Sequence, residues 1–137
     1  MRKTAQFINT YWKSIAWCII IVWLSLTSSN KIPKISTSIE IDKIAHVIMY
    51  LVFSILLIAG FDQDNNLKTS KKYRYLALFI ALSIGLLMEI LQMGVTETRS
   101  AEWLDMLANT IGATLGVLMY PFIKKYFNRL LRIPLIP

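Results

Sequence analysis

Four long stretches with almost no charged residues limit what this 137-residue chain can fold into. They lie at about 14–30, 44–61, 75–94 and 103–123, and each approaches the roughly 20 apolar residues that a helix needs to cross a hydrocarbon core of ~30 Å. The chain is 55% hydrophobic and only 17% charged, which is too apolar for a soluble domain of this length. The sequence therefore predicts an all-α integral membrane bundle of four transmembrane helices, which forms a single domain over residues 1–137.

The first apolar stretch also has the form of a secretory signal, because basic residues precede it. The segment that follows, "SLTSSNK" at residues 25–31, contains no small-x-small cleavage pattern. We therefore expect a retained anchor helix rather than a cleaved signal.

The formal net charge of +7 is distributed unevenly along the chain. Eleven of the fifteen Lys and Arg residues lie in the N-terminal segment, in the loop at 62–74 and in the tail at 124–137, and the other two loops hold four. By the positive-inside rule, both termini and the middle loop are predicted to be cytoplasmic. We interpret the basic excess as a signal for orientation and for contact with anionic membrane lipids, and we expect no nucleic-acid partner.

Polar and small residues form three stripes at helical spacing, since residues four or seven apart share one face. The stripes are Asp42, His46 and Tyr50 on the second span, Gly85, Glu89 and Gln92 on the third, and Asp105, Asn109, Gly112 and Gly116 on the fourth. In the predicted orientation their polar members lie near the outer ends of the spans. An ionisable residue at the bilayer centre costs about 2.5–3.5 kcal/mol on insertion scales, so such groups usually face a bundle interior or a wet cavity. We expect an outward-facing polar pocket, below which Gly112 and Gly116 allow close helix packing.

Three segments that contain these stripes resemble the VanZ-like family of small integral membrane proteins: "DKIAHVIMY" (42–50), "GLLMEILQ" (85–92) and "RSAEWLDMLANTIGATLG" (99–116). The residues that carry the resemblance are Asp42, Lys43, His46, Glu89, Gln92, Arg99, Asp105, Asn109 and Gly112. The resemblance implies a multi-pass protein of the bacterial cytoplasmic (inner) membrane. The founding member is associated with resistance to teicoplanin, a lipidated glycopeptide, so the resemblance raises a link to glycopeptide-type antibiotic tolerance. It implies no particular reaction.

The candidate site residues admit both a functional and a purely structural role. The candidates for ligand binding are Asp42, His46, Glu89, Gln92, Arg99, Asp105 and Asn109. Arg99 has the geometry to hold a phosphate with two hydrogen bonds, and its alternative is a salt bridge to a neighbouring carboxylate. His46, Glu89 and Asp105 are the candidates for acid–base catalysis, while the alternative for His46 is a neutral imidazole hydrogen-bonded between helices.

Metal binding and cofactors are not expected from the sequence. The acidic residues of the stripes are accompanied by one His and by no Cys in their segments, which makes a poor ligand set for a transition metal. Neither a phosphate-binding glycine loop nor a nucleophile elbow is present. Lys43 is interpreted as a cation that reaches to the membrane interface.

Three functions remain open at this point. The first is binding of an anionic or glycosylated lipid headgroup, or of a lipidated envelope compound such as a glycopeptide, in the outer pocket. The second is a membrane-embedded enzyme that acts on a lipid-linked substrate through His46 and Glu89. The third is a structural subunit of a larger membrane protein complex, docked through the polar stripes.

Overall fold

The computed structural model describes residues 2–26, 38–63, 71–95 and 103–131, and all the regular secondary structure in these ranges is α-helix. The helices are α1 (Arg2–Leu26), α2 (Ser38–Gln63), α3 (Lys71–Val95) and α4 (Trp103–Leu131). Each contains a segment that is long and apolar enough to cross a membrane, namely Gln6–Leu26, Ile41–Gln63, Lys71–Gly94 and Trp103–Tyr126. The prediction of four helices that are long and apolar enough to cross a membrane is confirmed, and the described ranges are all-α.

The helices extend beyond several of the predicted span limits. α1 begins at Arg2 rather than near residue 14, and α4 continues past residue 123 to Leu131 although it contains Pro121. α2 ends at Gln63, which places Asp62 inside a helix. The sequence limits were set by the first charged residues, but a helix does not have to stop where the hydrocarbon core ends. Its backbone hydrogen bonds are made within the segment, so polar side chains can continue it into the interface.

α2 is the central helix of the bundle. It packs most extensively against α4 and also contacts α1 and α3, while α1 and α4 do not contact each other within the described residues. In the apolar 18-residue stretch of each helix, 61% is buried in α2 and 11% in α1. Trp17 of α1 docks on α2 by donating its indole N–H to the carbonyl oxygen of Met49 at 2.9 Å.

The two ends of the bundle differ in chemistry, and we name them after one residue each. The His46 end is the end at which α2 and α4 begin, and the Asp62 end is the one towards which they run. Near the Asp62 end, the Phe61 ring of α2 lies between Tyr11 of α1 and Tyr73 of α3, with centroid distances of 5.9 and 6.0 Å. At the His46 end, α1 and α3 meet close to their last turns. α1 and α3 therefore run towards the His46 end, antiparallel to α2 and α4.

Close approach between α2 and α4 depends on two glycines of α4. A β-carbon on Gly112 would overlap the backbone carbonyl of Val47, and one on Gly116 would lie 2.5 Å from the carbonyl oxygen of Leu51. Contacts this short are possible only because both positions lack a side chain. Since membrane helices associate mainly through van der Waals packing and interhelical hydrogen bonds, this seam sets the register of the two helices.

Large apolar side chains cover the outside of the bundle. Ile19, Trp23, Phe79, Leu118 and Phe122 are each more than 60% exposed. In water this much apolar surface would drive aggregation. It is the surface expected of helices that face lipid.

Replacement of Gly112 by alanine should destabilise the protein because the new β-carbon would push α2 and α4 apart. We expect a loss of about 1–3 kcal/mol, typical of overpacked sites. Gly94→Ala is the matched control, since a β-carbon there meets nothing within 4 Å. It should leave stability unchanged or raise it by up to ~1 kcal/mol through helix propensity. Melting temperatures in one detergent would test this, and equal shifts for the two variants would contradict the role of the seam.

Candidate functional site

An ion pair joins the second turn of α2 to the first turn of α4 at the His46 end. The ammonium group of Lys43 donates to Asp105 Oδ1 at 2.9 Å, and the side chains are 20% and 9% exposed. A carboxylate this buried is costly unless a cation accompanies it. The interpretation of Lys43 as a cation that only reaches to the interface is therefore incomplete, because Lys43 also pairs with Asp105 across the helices.

His46 lies one turn further along α2 and is 3% exposed. Its Nδ1 atom is 2.9 Å from Oδ1 of Asn109, which is 2% exposed. An amide oxygen can only accept, so His46 Nδ1 carries the hydrogen in this arrangement. The other ring nitrogen, Nε2, lies 3.9 Å from Asp105 Oδ2, which is longer than a direct hydrogen bond.

Asp42 completes the group from the first turns of α2. One ligand atom each from Asp42, His46 and Asp105 lies within 4.8 Å of the other two. Because Asp42 and His46 are four residues apart, they share the face of α2 that meets α4. We call the following residues the His46 cluster: Asp42, Lys43, His46, Asp105 and Asn109.

The polar residues of α3 are buried in the same bundle but make different contacts. Glu89 and Gln92 are each 2% exposed. Gln92 donates to the backbone carbonyl of Ser25 at 2.9 Å, so it joins α3 to α1. Glu89 lies one turn beyond Gly85, whose backbone packs close to Asn109 and to the ring of Tyr50. The stripe of α3 therefore faces the bundle interior.

The predicted site residues are thus only partly brought together. Asp42, His46, Asp105 and Asn109 meet between α2 and α4. Gln92 connects to α1 instead, and Arg99 lies outside the described residues. The loop acids Glu97 and Glu102 also lie outside them. Of the catalytic candidates, His46 and Asp105 face each other across the two helices.

An open groove with a volume of about 290 Å³ lies beside the His46 cluster. It is lined by Lys43, Ile44, Val47, Leu104, Leu107, Ala108 and Ile111. Among these described residues Lys43 alone is charged, and it is also a member of the cluster. The groove is therefore almost wholly apolar, and Lys43 lines it with its hydrocarbon chain while its ammonium group pairs with Asp105.

A second polar group, at the Asp62 end, was missed in the sequence because Asp62 was placed in a loop. Tyr120 donates its hydroxyl to Asp62 Oδ2 at 3.1 Å, and Lys124 forms an ion pair with the same oxygen. The spacing of four between Tyr120 and Lys124 is a signal that could have revealed it. At this end α2 supplies the acid and α4 the lysine, the reverse of the His46 end.

The fold and the polar cluster define a small multi-pass membrane protein with buried charge at one end of a tight helix pair. The model of the VanZ/LLP1 family matches residues 3–124, and the chain belongs to this family. The resemblance seen in the three motifs is thereby confirmed. No curated protein and no solved structure gives a significant match to the chain.

The hydrogen bond between His46 and Asn109 predicts the tautomer of the imidazole. Because the chain has one histidine, ¹⁵N-histidine labelling gives a single set of ring signals. We expect the neutral ring to carry its hydrogen on Nδ1, and Asn109→Leu to shift this signal while costing ~0.6–1.7 kcal/mol of stability. A ring protonated on Nε2 alone would show that Asn109 presents its NH₂ group and would contradict this arrangement.

Proposed function

We propose that the chain binds an amphiphilic lipid, or a lipidated envelope compound, with an anionic or glycosylated headgroup at the His46 end. The observation that carries this proposal is that an apolar groove and a polar cluster share Lys43. Ligand sites typically combine apolar walls with a few placed polar groups, and ~300 Å³ is the lower end of their size range. The groove suits part of an acyl chain, with the headgroup at the cluster.

The distribution of basic residues supports placing the His46 end at the outer face of the membrane. Eleven of the fifteen Lys and Arg residues belong to segments that join or extend the helices at the Asp62 end. The positive-inside rule then orients that end, and both termini, towards the cytoplasm. In a bacterial inner membrane the ligand would be a lipid of the outer leaflet or a compound that arrives from outside.

The charges of the cluster decide how a headgroup is recognised. The cluster contains two carboxylates, Asp42 and Asp105, and Lys43 pairs with Asp105. A phosphate beside these carboxylates needs a cation as well, and we propose that Arg99, which precedes α4 in the sequence, supplies it. Hydroxyl groups of a glycosylated headgroup suit the carboxylates directly, since ionised carboxylates only accept hydrogen bonds. A lipidated glycopeptide combines an acyl chain with such hydroxyl groups, which is the basis for proposing a link to glycopeptide tolerance.

Blocking the groove should reduce lipid retention. Leu107→Trp places a large ring in the groove, whereas Leu118→Trp makes the same change at a lipid-facing position of α4 outside it. Native mass spectrometry of protein released from bacterial membranes should show fewer bound lipids for Leu107→Trp only. Equal retention by the two variants, or a copurifying membrane protein that covers the groove, would overturn the proposal.

The headgroup contact is tested separately from the acyl contact. Arg99→Ala and Lys43→Gln should each lower the preference for anionic over zwitterionic lipids, measured as the ratio retained from an equimolar mixture. We expect a loss of tenfold or more for Arg99→Ala, which corresponds to about 1.4 kcal/mol. An unchanged ratio in both variants would remove the phosphate from the proposal.

A second candidate function, catalysis on a lipid-linked substrate, is favoured by the orientation of His46. The hydrogen bond from Nδ1 to Asn109 directs Nε2 towards Asp105, as in sites where a third group orients a general base. Purified protein should then turn over a lipid-linked phosphate or glycoside, and Glu89 would be the second acid–base group. His46→Gln should abolish turnover and leave lipid retention intact. Turnover that survives this change would exclude His46 as the base.

A further inference from the structure

We propose that Asp42, His46 and Asp105 form a binding site for one divalent transition-metal ion of the class that includes Zn²⁺. The sequence argued against a metal because the chain has one histidine. The structure brings two carboxylates from different helices to that histidine, and one ligand atom of each residue lies within 4.8 Å of the other two. Imidazole nitrogen and carboxylate oxygen are both ligand types that Zn²⁺ and related ions accept.

The three ligand atoms lie within 4.8 Å of one another and would move closer together to hold an ion. Zn²⁺ binds nitrogen and carboxylate oxygen at about 2.0–2.2 Å, so neighbouring ligand atoms of a tetrahedral site lie roughly 3.3–3.5 Å apart. His46 Nε2 and Asp105 Oδ2 are 3.9 Å apart, which is too long for a hydrogen bond and close to that spacing. Asp42 is only partly buried near the start of α2, so its side chain can supply the remaining movement.

The hydrogen bond at Nδ1 of His46 also supports a metal site, because it leaves Nε2 on the opposite side of the ring for an ion. A histidine that ligates a metal usually donates its other N–H to an oxygen acceptor, which sets the tautomer and holds the ring. His46 has this arrangement, with Nδ1 at 2.9 Å from Asn109 Oδ1. The lone pair of the neutral ring then lies on Nε2, the atom that faces Asp105. The contact of this lone pair with the carboxylate is electrostatically unfavourable, and either a bound cation or a proton on Nε2 would relieve it.

Lys43 is compatible with the ion because Asp105 has two oxygens. Lys43 pairs with Oδ1, while Oδ2 is the oxygen that faces His46. The two carboxylates would together offset the charge of a divalent ion. The imidazole also determines the kind of ion, because Mg²⁺ and Ca²⁺ prefer sites made entirely of oxygen.

Binding of Zn²⁺ to protein in phosphatidylcholine nanodiscs, freed of metal with EDTA, tests the site. Isothermal titration should give one ion per chain, and Asp42→Asn and Asp105→Asn should each weaken binding by more than tenfold. Asn109→Leu should weaken it by ~10–100-fold through loss of the contact that orients His46. The matched control is Asp62→Asn, another partly buried acid of α2, which pairs with a lysine of α4, and it should not change the affinity.

A second measurement needs no variant and so does not depend on folding of mutants. The His46 Nε2 resonance should shift on addition of one equivalent of Zn²⁺ and should not shift with Mg²⁺ or Ca²⁺. An unshifted resonance, an equal response to Mg²⁺, or equal Zn²⁺ affinity of the Asp42, Asp105 and Asp62 variants would overturn the site.

Lys43→Met separates the metal site from the proposed lipid function. The change removes a positive charge beside the ion and should tighten Zn²⁺ binding by about tenfold, while retention of anionic lipid falls. Zn²⁺ binding weakened by this variant would overturn the assignment of the ion to Asp105. Lipid retention that persists in EDTA, with no response of His46 to Zn²⁺, would overturn the metal site alone. A response of His46 to Zn²⁺, with no lipid retained either with or without the ion, would overturn the lipid proposal alone.

Discussion

The parallel packing of α2 on α4 is the contact on which the rest of the structure depends. Gly112 and Gly116 bring the backbone of α4 against the carbonyls of Val47 and Leu51. Parallel helices held this tightly have one register, so contacts at one point of the seam determine those along its length. A shift by one helical turn would move side chains by about 5.4 Å and would separate His46 from Asn109.

Each end of this helix pair has an ion pair between α2 and α4, and the helix that supplies the acid differs between the two ends. At the His46 end a lysine of α2 pairs with an acid of α4, and at the Asp62 end an acid of α2 pairs with a lysine of α4. Asp62 receives a hydroxyl and a cation from α4 at the same oxygen. The His46 end instead holds a second carboxylate and an imidazole next to its ion pair. This larger group of polar side chains makes the His46 end the stronger candidate for a ligand.

The helices and their buried faces were predictable from the sequence, because length, apolar character and spacing of four or seven are local properties. His46, Glu89 and Asn109 were all expected on inward faces, and all three are buried. The spacing of residues within a helix does not show which of the three stripes contact each other. Gln92 donates to a backbone carbonyl of α1, and because every residue has such a carbonyl, the sequence of α1 gives no signal for this contact. The pairing of Lys43 with Asp105 likewise depends on the register of two helices about sixty residues apart in the chain.

Charge links the two proposals made for the His46 end. The cluster contains two carboxylates, which favour hydroxyl groups or a cation and oppose a phosphate. A divalent ion would reverse that balance at short range, where interactions between partly buried charges are screened least. Three protein ligands also leave at least one coordination position for an oxygen from another molecule. Lys43 lines the groove and pairs with Asp105. Its charge therefore affects the affinity for an ion and the affinity for an anionic headgroup in opposite directions. An anionic lipid and a metal ion would thus each make the other's binding more favourable, as expected of ligands whose charges compensate in one site.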